Sequence, residues 1–354
     1  MEIFFTKNKE ELDQWDAYVS VENKASHLLL SDWNQSFTSY GFDFEVCLLK
    51  DQNEIVGGFV GVIAKALFFK FYIVPYGPIV SKGYEDQLNH LIAQVPERAK
   101  QSGSCYCHIS LPSTKEMNKH TFTNLPDLPI LKTAKAGQLF KYVYSGYGLN
   151  WIDLVGYDEE SKIITLKPSV RRNIRNSYRK DLIFKIMTLD NDIEQAYHLF
   201  KENSIAANYS IRDWKDMRET LLSLNKKGFL KILAAFKDEE LKGAILLIKG
   251  GNYYTYILGG SKKEVPDLRT GDFLQWEAIK LSLHEGLDGY NISLGGSPGV
   301  VEFKNSFNTV QFYFENAQFH WVIKPIYFKL YLFLEKHLKN HKKTIARILS
   351  LLKK

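Results

Sequence analysis

Residues 269–307 read RTGDFLQWEAIKLSLHEGLDGYNISLGGSPGVVEFKNSF, and the reading of this stretch decides the fold. Phe273, Trp276, Ile279 and Leu283 recur at helical spacing, which predicts an amphipathic helix. Gly286 sits just past the last periodic residue, where a glycine commonly ends a helix. Tyr290, Ile292 and Leu294 then alternate with polar residues, the two-residue period of a strand. Gly295 and Gly296 free the backbone for close approach, and Phe303 and Lys304 follow. A reaction centre is expected beside the end of this strand.

Working outward, the order strand, strand, strand, loop, helix, strand occurs twice. Expected strands at 230–236, 241–249 and 253–258 precede the helix and strand just quoted. Expected strands at 44–50, 54–63 and 66–74, a helix at 85–101 and a strand at 105–111 repeat the order in the first half. Gly57 and Ile109 are 52 residues apart, and Gly243 and Ile292 are 49 apart. That near-equal spacing predicts a structural duplication. The 354 residues are comfortable for two domains. The expected class is α/β with α+β character: two similar domains with mixed, mainly antiparallel sheets. They are expected over residues 1–155 and 156–320, followed by a basic amphipathic C-terminal helix over 321–354.

Charge is unevenly placed. Residues 1–155 hold 14 Lys and Arg against 17 Asp and Glu, whereas the last 34 residues hold nine against one. Such asymmetry points to an anionic partner: phosphate, RNA or a membrane surface. In the tail, Ile326, Tyr327, Phe328, Leu330, Tyr331, Phe333 and Leu334 lie among lysines. Residues 326–334 are expected to pack on the body, and the basic remainder to meet an anionic membrane surface.

Several classes are set aside. Three cysteines supply no disulfide framework and fit a reducing compartment. Cys105, Cys107 and His108 alternate in an apolar strand with no second ligand pair at zinc spacing, so no metal site is expected. The N-terminus reads as neither signal peptide nor span, and no apolar run is long enough to cross a bilayer. There is no G-x-S-x-G elbow, no Walker loop, and no G-x-G-x-x-G between strand and helix.

Two constellations remain. An expected helix over 166–180, LKPSVRRNIRNSYRK, carries Arg171, Arg172, Arg175 and Arg179 at spacings of three and four. Guanidiniums gathered so closely suit phosphate or carboxylate, or else form a solvated face. Lys304, between aromatic residues just after a glycine turn, is a candidate to stabilise developing negative charge.

The basic helix RRNIRNSYRK, the segment QWEAIKLSLHEGLDGYNISLGG and the closing EFKNSF, with PYGPIV at 75–80, resemble the FemABX family of peptidoglycan aminoacyltransferases. That resemblance implies two tandem GNAT-like domains, and transfer of an acyl or aminoacyl group to an amine of a phosphate-bearing cell-envelope precursor. It implies no tightly bound cofactor, with aminoacyl-tRNA, or in a polysaccharide-pathway branch acyl-CoA, as co-substrate. It also implies a cytoplasmic protein at the inner face of the membrane. By the same resemblance Lys304 is catalytic; Phe303, Arg171, Arg172, Arg175, Tyr76 and Tyr256 bind substrate. A splayed strand pair would present Tyr290, Ser293, Gly295 and Gly296 to the donor. The chain departs from the family pattern at Asn291 and Asn308. A non-catalytic module holding an anionic glycan, lipid or RNA is the reading from another class.

Overall fold

The structure, a computed structural model, describes residues 1–113 and 127–338. Its first strands are β1 (Glu2–Thr6), β2 (Asp43–Asp51), β3 (Glu54–Ala66), β4 (Phe69–Val74), β5 (Ile79–Val80), β6 (Tyr106–Ser110) and β7 (Lys135–Ala136). Then come β8 (Gly148–Asp153), β9 (Ile183–Met187), β10 (Leu230–Lys237), β11 (Glu240–Lys249), β12 (Tyr253–Ser261), β13 (Gly289–Asn291), β14 (Val310–Tyr313) and β15 (Gln318–Val322). The helices of the first half are α1 (Lys9–Val21), α2 (Ser31–Gln35) and α3 (Leu88–Gln101). Those of the second are α4 (Glu159–Thr165), α5 (Pro168–Tyr178), α6 (Asp190–Ala206), α7 (Trp214–Lys226), α8 (Thr270–His284) and α9 (Pro298–Asn305), before α10 (Pro325–Leu338).

Two sheets share one plan. The first runs β1-β2-β3-β4-β6-β15-β7, with β5 added to β3; the second, read from its far edge, runs β9-β10-β11-β12-β13-β8-β14. Pairing is antiparallel except at β4 with β6 and β12 with β13. Parallel neighbours need a crossover, and here it is α3 in one half and α8 in the other. The duplication expected from spacing is therefore present strand for strand.

The sheets also exchange a strand. β15, which follows the second half in sequence, is inserted between β6 and β7; β8, which follows the first, is inserted between β13 and β14. The expected boundaries at residues 155 and 320 consequently do not separate the two sheets. A two-residue period identifies a strand without saying which sheet it joins.

α8, expected to be amphipathic, is more buried than an amphipathic helix. Asp272, Phe273, Leu274, Gln275, Trp276, Glu277, Ala278 and Ile279 are all buried, because α5 packs on the face of α8 that the sheet leaves open. At the other end, Phe328 and Tyr331 of α10 stack into the first core against Tyr106 and Phe71, each with ring centroids 4.7 Å apart. The packing expected of 326–334 thus holds on this face, whereas residues 339–354 lie outside the described residues. Among the described residues no helix is long and apolar enough to cross a membrane.

The halves are also pinned by charge. Lys227, just past α7, reaches Asp13 at 2.7 Å, Asp16 at 2.9 Å and Asp32 at 2.7 Å on α1 and α2. Asp16 is 1% exposed, and it also accepts hydrogen bonds from the backbone N–H and hydroxyl of Ser31. Removing one partner from such a cluster strands a buried charge. Lys227→Met is expected to cost about 3 kcal/mol, read as a lower urea midpoint at unchanged slope.

Candidate active site

The site begins where a ladder opens. β12 and β13 run parallel through Thr255 and Asn291, their last paired residues. Beyond that point β12 continues along β11, while the other chain turns away through Ser293 (φ 66°) and Gly296 (φ 143°) into α9. The register of β12 on β11 slips between Leu258 and Tyr256, so Ile257 is an extra residue of a bulge at the same level. Ligands in α/β sheets gather at the carboxyl ends of strands, at such a divergence.

Asn291 shapes the fork. Its Oδ1 accepts from the backbone N–H of Asn150 at 3.0 Å and of Ser293 at 3.1 Å. The Ser293 hydroxyl donates to the carbonyl of Tyr256, tying the two arms together. In the first half the corresponding gap is bridged by backbone, with the Gly77 N–H donating to the Ser110 carbonyl at 2.7 Å.

A cavity of about 460 Å³ fills the opening in the second half and extends to residues of the first. Its lining includes Lys304, Arg212, Tyr76, Tyr256, Asn291 and Ser293. Trp33, Phe37, Tyr40, Tyr142, Tyr144 and Tyr147 give it an aromatic wall. No carboxylate lines it among the described residues.

Lys304 occupies the last turn of α9, 5% exposed. Its Nζ donates to the Gly295 carbonyl at 2.6 Å and lies 5.3 Å from the Tyr256 ring centroid. No ion pair involves it among the described residues, and burial pushes its pKa down to about 8. Arg212 is the second cation. Its guanidinium donates to the Ser36 hydroxyl and sits over the rings of Phe37 and Tyr40, at 4.7 and 4.9 Å. It too has no ion pair among the described residues, and burial lowers its pKa. His27, also in the lining, is pushed down to about 3 by burial and stays neutral at working pH.

The structure thus brings together Lys304, Tyr76, Tyr256, Ser293 and Gly295 from the sequence expectations. It places others elsewhere. Tyr290 is fully buried in the second core, its hydroxyl donating to Gln275 Oε1 at 2.6 Å. The Phe303 ring turns from the cavity toward Phe307, 5.4 Å away, and the start of α8. Gly296 packs beside Val300, outside the lining. Arg171, Arg172 and Arg175 are also outside it: α5 buries Val170, Ile174 and Ser177 and leaves its arginines on the outer side, unpaired among the described residues. Tyr76, 1% exposed, already donates its hydroxyl to the Lys24 carbonyl at 2.9 Å.

Arg212 and the tyrosines at 142, 144 and 147 escaped the sequence reading. The run KYVYSGYG at 141–148 was the available signal, since tyrosines that alternate with small residues suit a cleft wall. Nothing in the spacing around Arg212 marks it.

Comparison with known proteins agrees with this geometry. Residues 167–305 match the family model described as an acetyltransferase (GNAT) domain. No curated protein sequence matches. Among solved structures, FemX superposes with a TM-score of 0.75 at 14% identity, covering 93% of this chain and 99% of that one. L-PGS from Bacillus licheniformis gives 0.56 at 11% identity, covering 90% and 92%. The C-terminal domain of a putative lysylphosphatidylglycerol synthetase from Agrobacterium fabrum gives 0.54 at 12%, covering 88% and 90%. The chain has the fold of FemX, and its residues 167–305 are similar to a GNAT-type acetyltransferase domain.

Proposed function

We propose that this acyltransferase moves an aminoacyl group from aminoacyl-tRNA to an amine of a phosphate-bearing cell-envelope precursor of the peptidoglycan type. The observation that carries the reading is Lys304, an unpaired ammonium buried where the strands diverge. In this reading the acceptor amine attacks the ester carbonyl of the donor, and the carbonyl oxygen becomes an oxyanion facing Lys304. Collapse breaks the ester bond; the ribose oxygen leaves and takes up a proton, while the amine's proton passes to solvent. Orientation and charge stabilisation carry such a step without a covalent enzyme intermediate.

Two cations and no carboxylate favour an anionic substrate in the cavity, with Arg212 as its fork-shaped anchor. Aromatic walls favour a sugar or base stacked above them. The arginines of α5, Arg172 and Arg175 exposed and Arg171 half-buried, with no ion pair among the described residues, suit the phosphates of the tRNA arm. A charged tRNA donor sets the work on the cytoplasmic side, at the inner face of the membrane. The start of α8 is unsuited to a pyrophosphate: Asp272 lies in its first turn and the Phe303 ring lies beside Gly271.

A second reading, acyl-CoA as donor, is favoured by the acetyltransferase description of the matching family model. Incubation with charged tRNA or with acyl-CoA, each with envelope precursors, separates the two. Product that ribonuclease abolishes is expected. Product from acyl-CoA alone overturns the tRNA donor, and no product from either favours a binding module.

A further inference from the structure

One turn in the first half is built unlike the others. β3 and β4 are joined by two residues, Leu67 and Phe68, with Ala66 and Phe69 the closing pair. Leu67 has φ 56°, a conformation that costs a leucine and suits glycine or asparagine. The tight turns elsewhere use polar residues: Gln52 and Asn53 between β2 and β3, and Asp238 and Glu239 between β10 and β11. Leu67 is 52% exposed and Phe68, although its ring lies against Phe69, is 64% exposed, so little of either side chain is buried in return for the strained turn. Backbone strain held for so little burial points to use. Lys65 and Lys70 face each other directly across the ladder at the base of this tip, both exposed. Like charges directly opposite each other repel; Lys70 Nζ donates to the Ser102 carbonyl at 3.4 Å, and neither lysine forms an ion pair among the described residues.

The tip adjoins a second surface of the same chemistry. Phe68 lies against Phe69 (ring centroids 4.2 Å), and Phe69 against Tyr331 of α10 (5.6 Å). On the side of α10 away from its buried Phe328 and Tyr331, Ile326, Leu330 and Phe333 recur at i, i+4 and i+7, with Ile326 82% exposed. Lys329 and Lys336 are exposed on the same helix, and neither they nor Lys65 and Lys70 form an ion pair among the described residues. The sequence beyond α10 adds Lys339, Lys342, Lys343, Arg347, Lys353 and Lys354 with no acidic residue.

We infer that the Leu67 and Phe68 tip and the outer face of α10 together dock the protein on an anionic lipid bilayer, the tip entering the headgroup layer. Apolar side chains set among unpaired lysines match a negatively charged interface, whereas RNA would use the lysines and leave Leu67, Phe68 and Ile326 in water. The buried side of α10 reaches toward the cavity wall. Tyr142 of the cavity wall is 5.2 Å from Phe140, which packs 6.0 Å from Tyr331. Burial, with Glu335 of α10 nearby, holds the Tyr142 hydroxyl above its usual range. Docking through α10 therefore holds the cavity close to the bilayer, which, on the function proposed above, is where a membrane-borne acceptor would be met.

The test is sedimentation of the full chain with phosphatidylcholine vesicles, with and without phosphatidylglycerol, independent of any turnover assay. Binding is expected only with phosphatidylglycerol, to weaken in high salt, and to fall about ten-fold or more in Leu67→Ser/Phe68→Ser. Both positions are exposed, so a melting curve like that of the wild type will show the variant folded. Cys47, Cys105 and Cys107 are buried, so Phe68→Cys accepts a polarity-sensitive dye selectively. Its emission is expected to shift to the blue on anionic vesicles. Unchanged affinity in the double variant, a dye that stays in water, or binding to RNA with none to vesicles overturns the inference.

Discussion

Lys304→Met should abolish most turnover, by roughly a hundred-fold or more, while leaving the protein at least as stable as the wild type. The loss follows from removing the one ammonium aimed at the fork between β12 and β13. The stability follows from the same burial. Unfolded, this lysine holds its proton to about pH 10.5; folded, to about pH 8. Below about pH 8 both states are protonated, and the native state carries the full cost of a buried ammonium. Between the two values the unfolded chain binds the extra proton, so the wild type gains stability as pH rises and the advantage of the methionine variant narrows. Turnover runs the other way. A charged Lys304 predicts kcat falling as pH rises through about 8, a limb absent from the residual activity of Lys304→Met. Thermal melts and a kcat–pH profile check both; full turnover in the variant removes the catalytic role.

Arg212→Ala should act on binding instead. Its guanidinium is held by Ser36, Phe37 and Tyr40, and among the described residues it forms no ion pair, Asp216 acting only at longer range, which leaves its charge for the cavity. Hydrogen bonds to charged groups contribute about 1.5–3 kcal/mol, so the acceptor KM should rise roughly ten- to a hundred-fold with kcat little changed. Lysine should not restore it, because a point charge lacks the fork. An acceptor analogue stripped of its anion should show no difference between wild type and variant. Equal KM values for the intact acceptor would assign Arg212 to packing alone.

The parts of this molecule that were legible in the chain are those written in short-range periodicity. The helix and strand of 269–307 form where expected, although the strand ends at Asn291 and the helix is buried beyond one face, and Lys304 does line the cavity. The segment between the glycines and Lys304 carries no assignment in the sequence, yet Pro298 fits the first turn of a helix and α9 forms. Leu67 and Phe68 read as the start of the strand expected at 66–74 because an apolar pair carries no turn signal. Tyr290 and Phe303 belong to the site's sequence but not to its surface: alternation and helical phase send those side chains into the second core. Arg212 is set in the cavity by residues some 170 positions away, such as Ser36, and no local pattern encodes that distance.

The exchange of β8 and β15 has a consequence for how the chain is made. Ser110 of β6 pairs with Gln318, so the first sheet lacks an interior strand until roughly two hundred more residues have left the ribosome. Until then β6 offers an open edge to solvent, a template for wrong pairings. Neither half can mature alone, and the order of synthesis makes the second half the completing partner of the first. A gene cut between the halves would yield two fragments, each lacking a strand the other carries, that regain both sheets only by meeting.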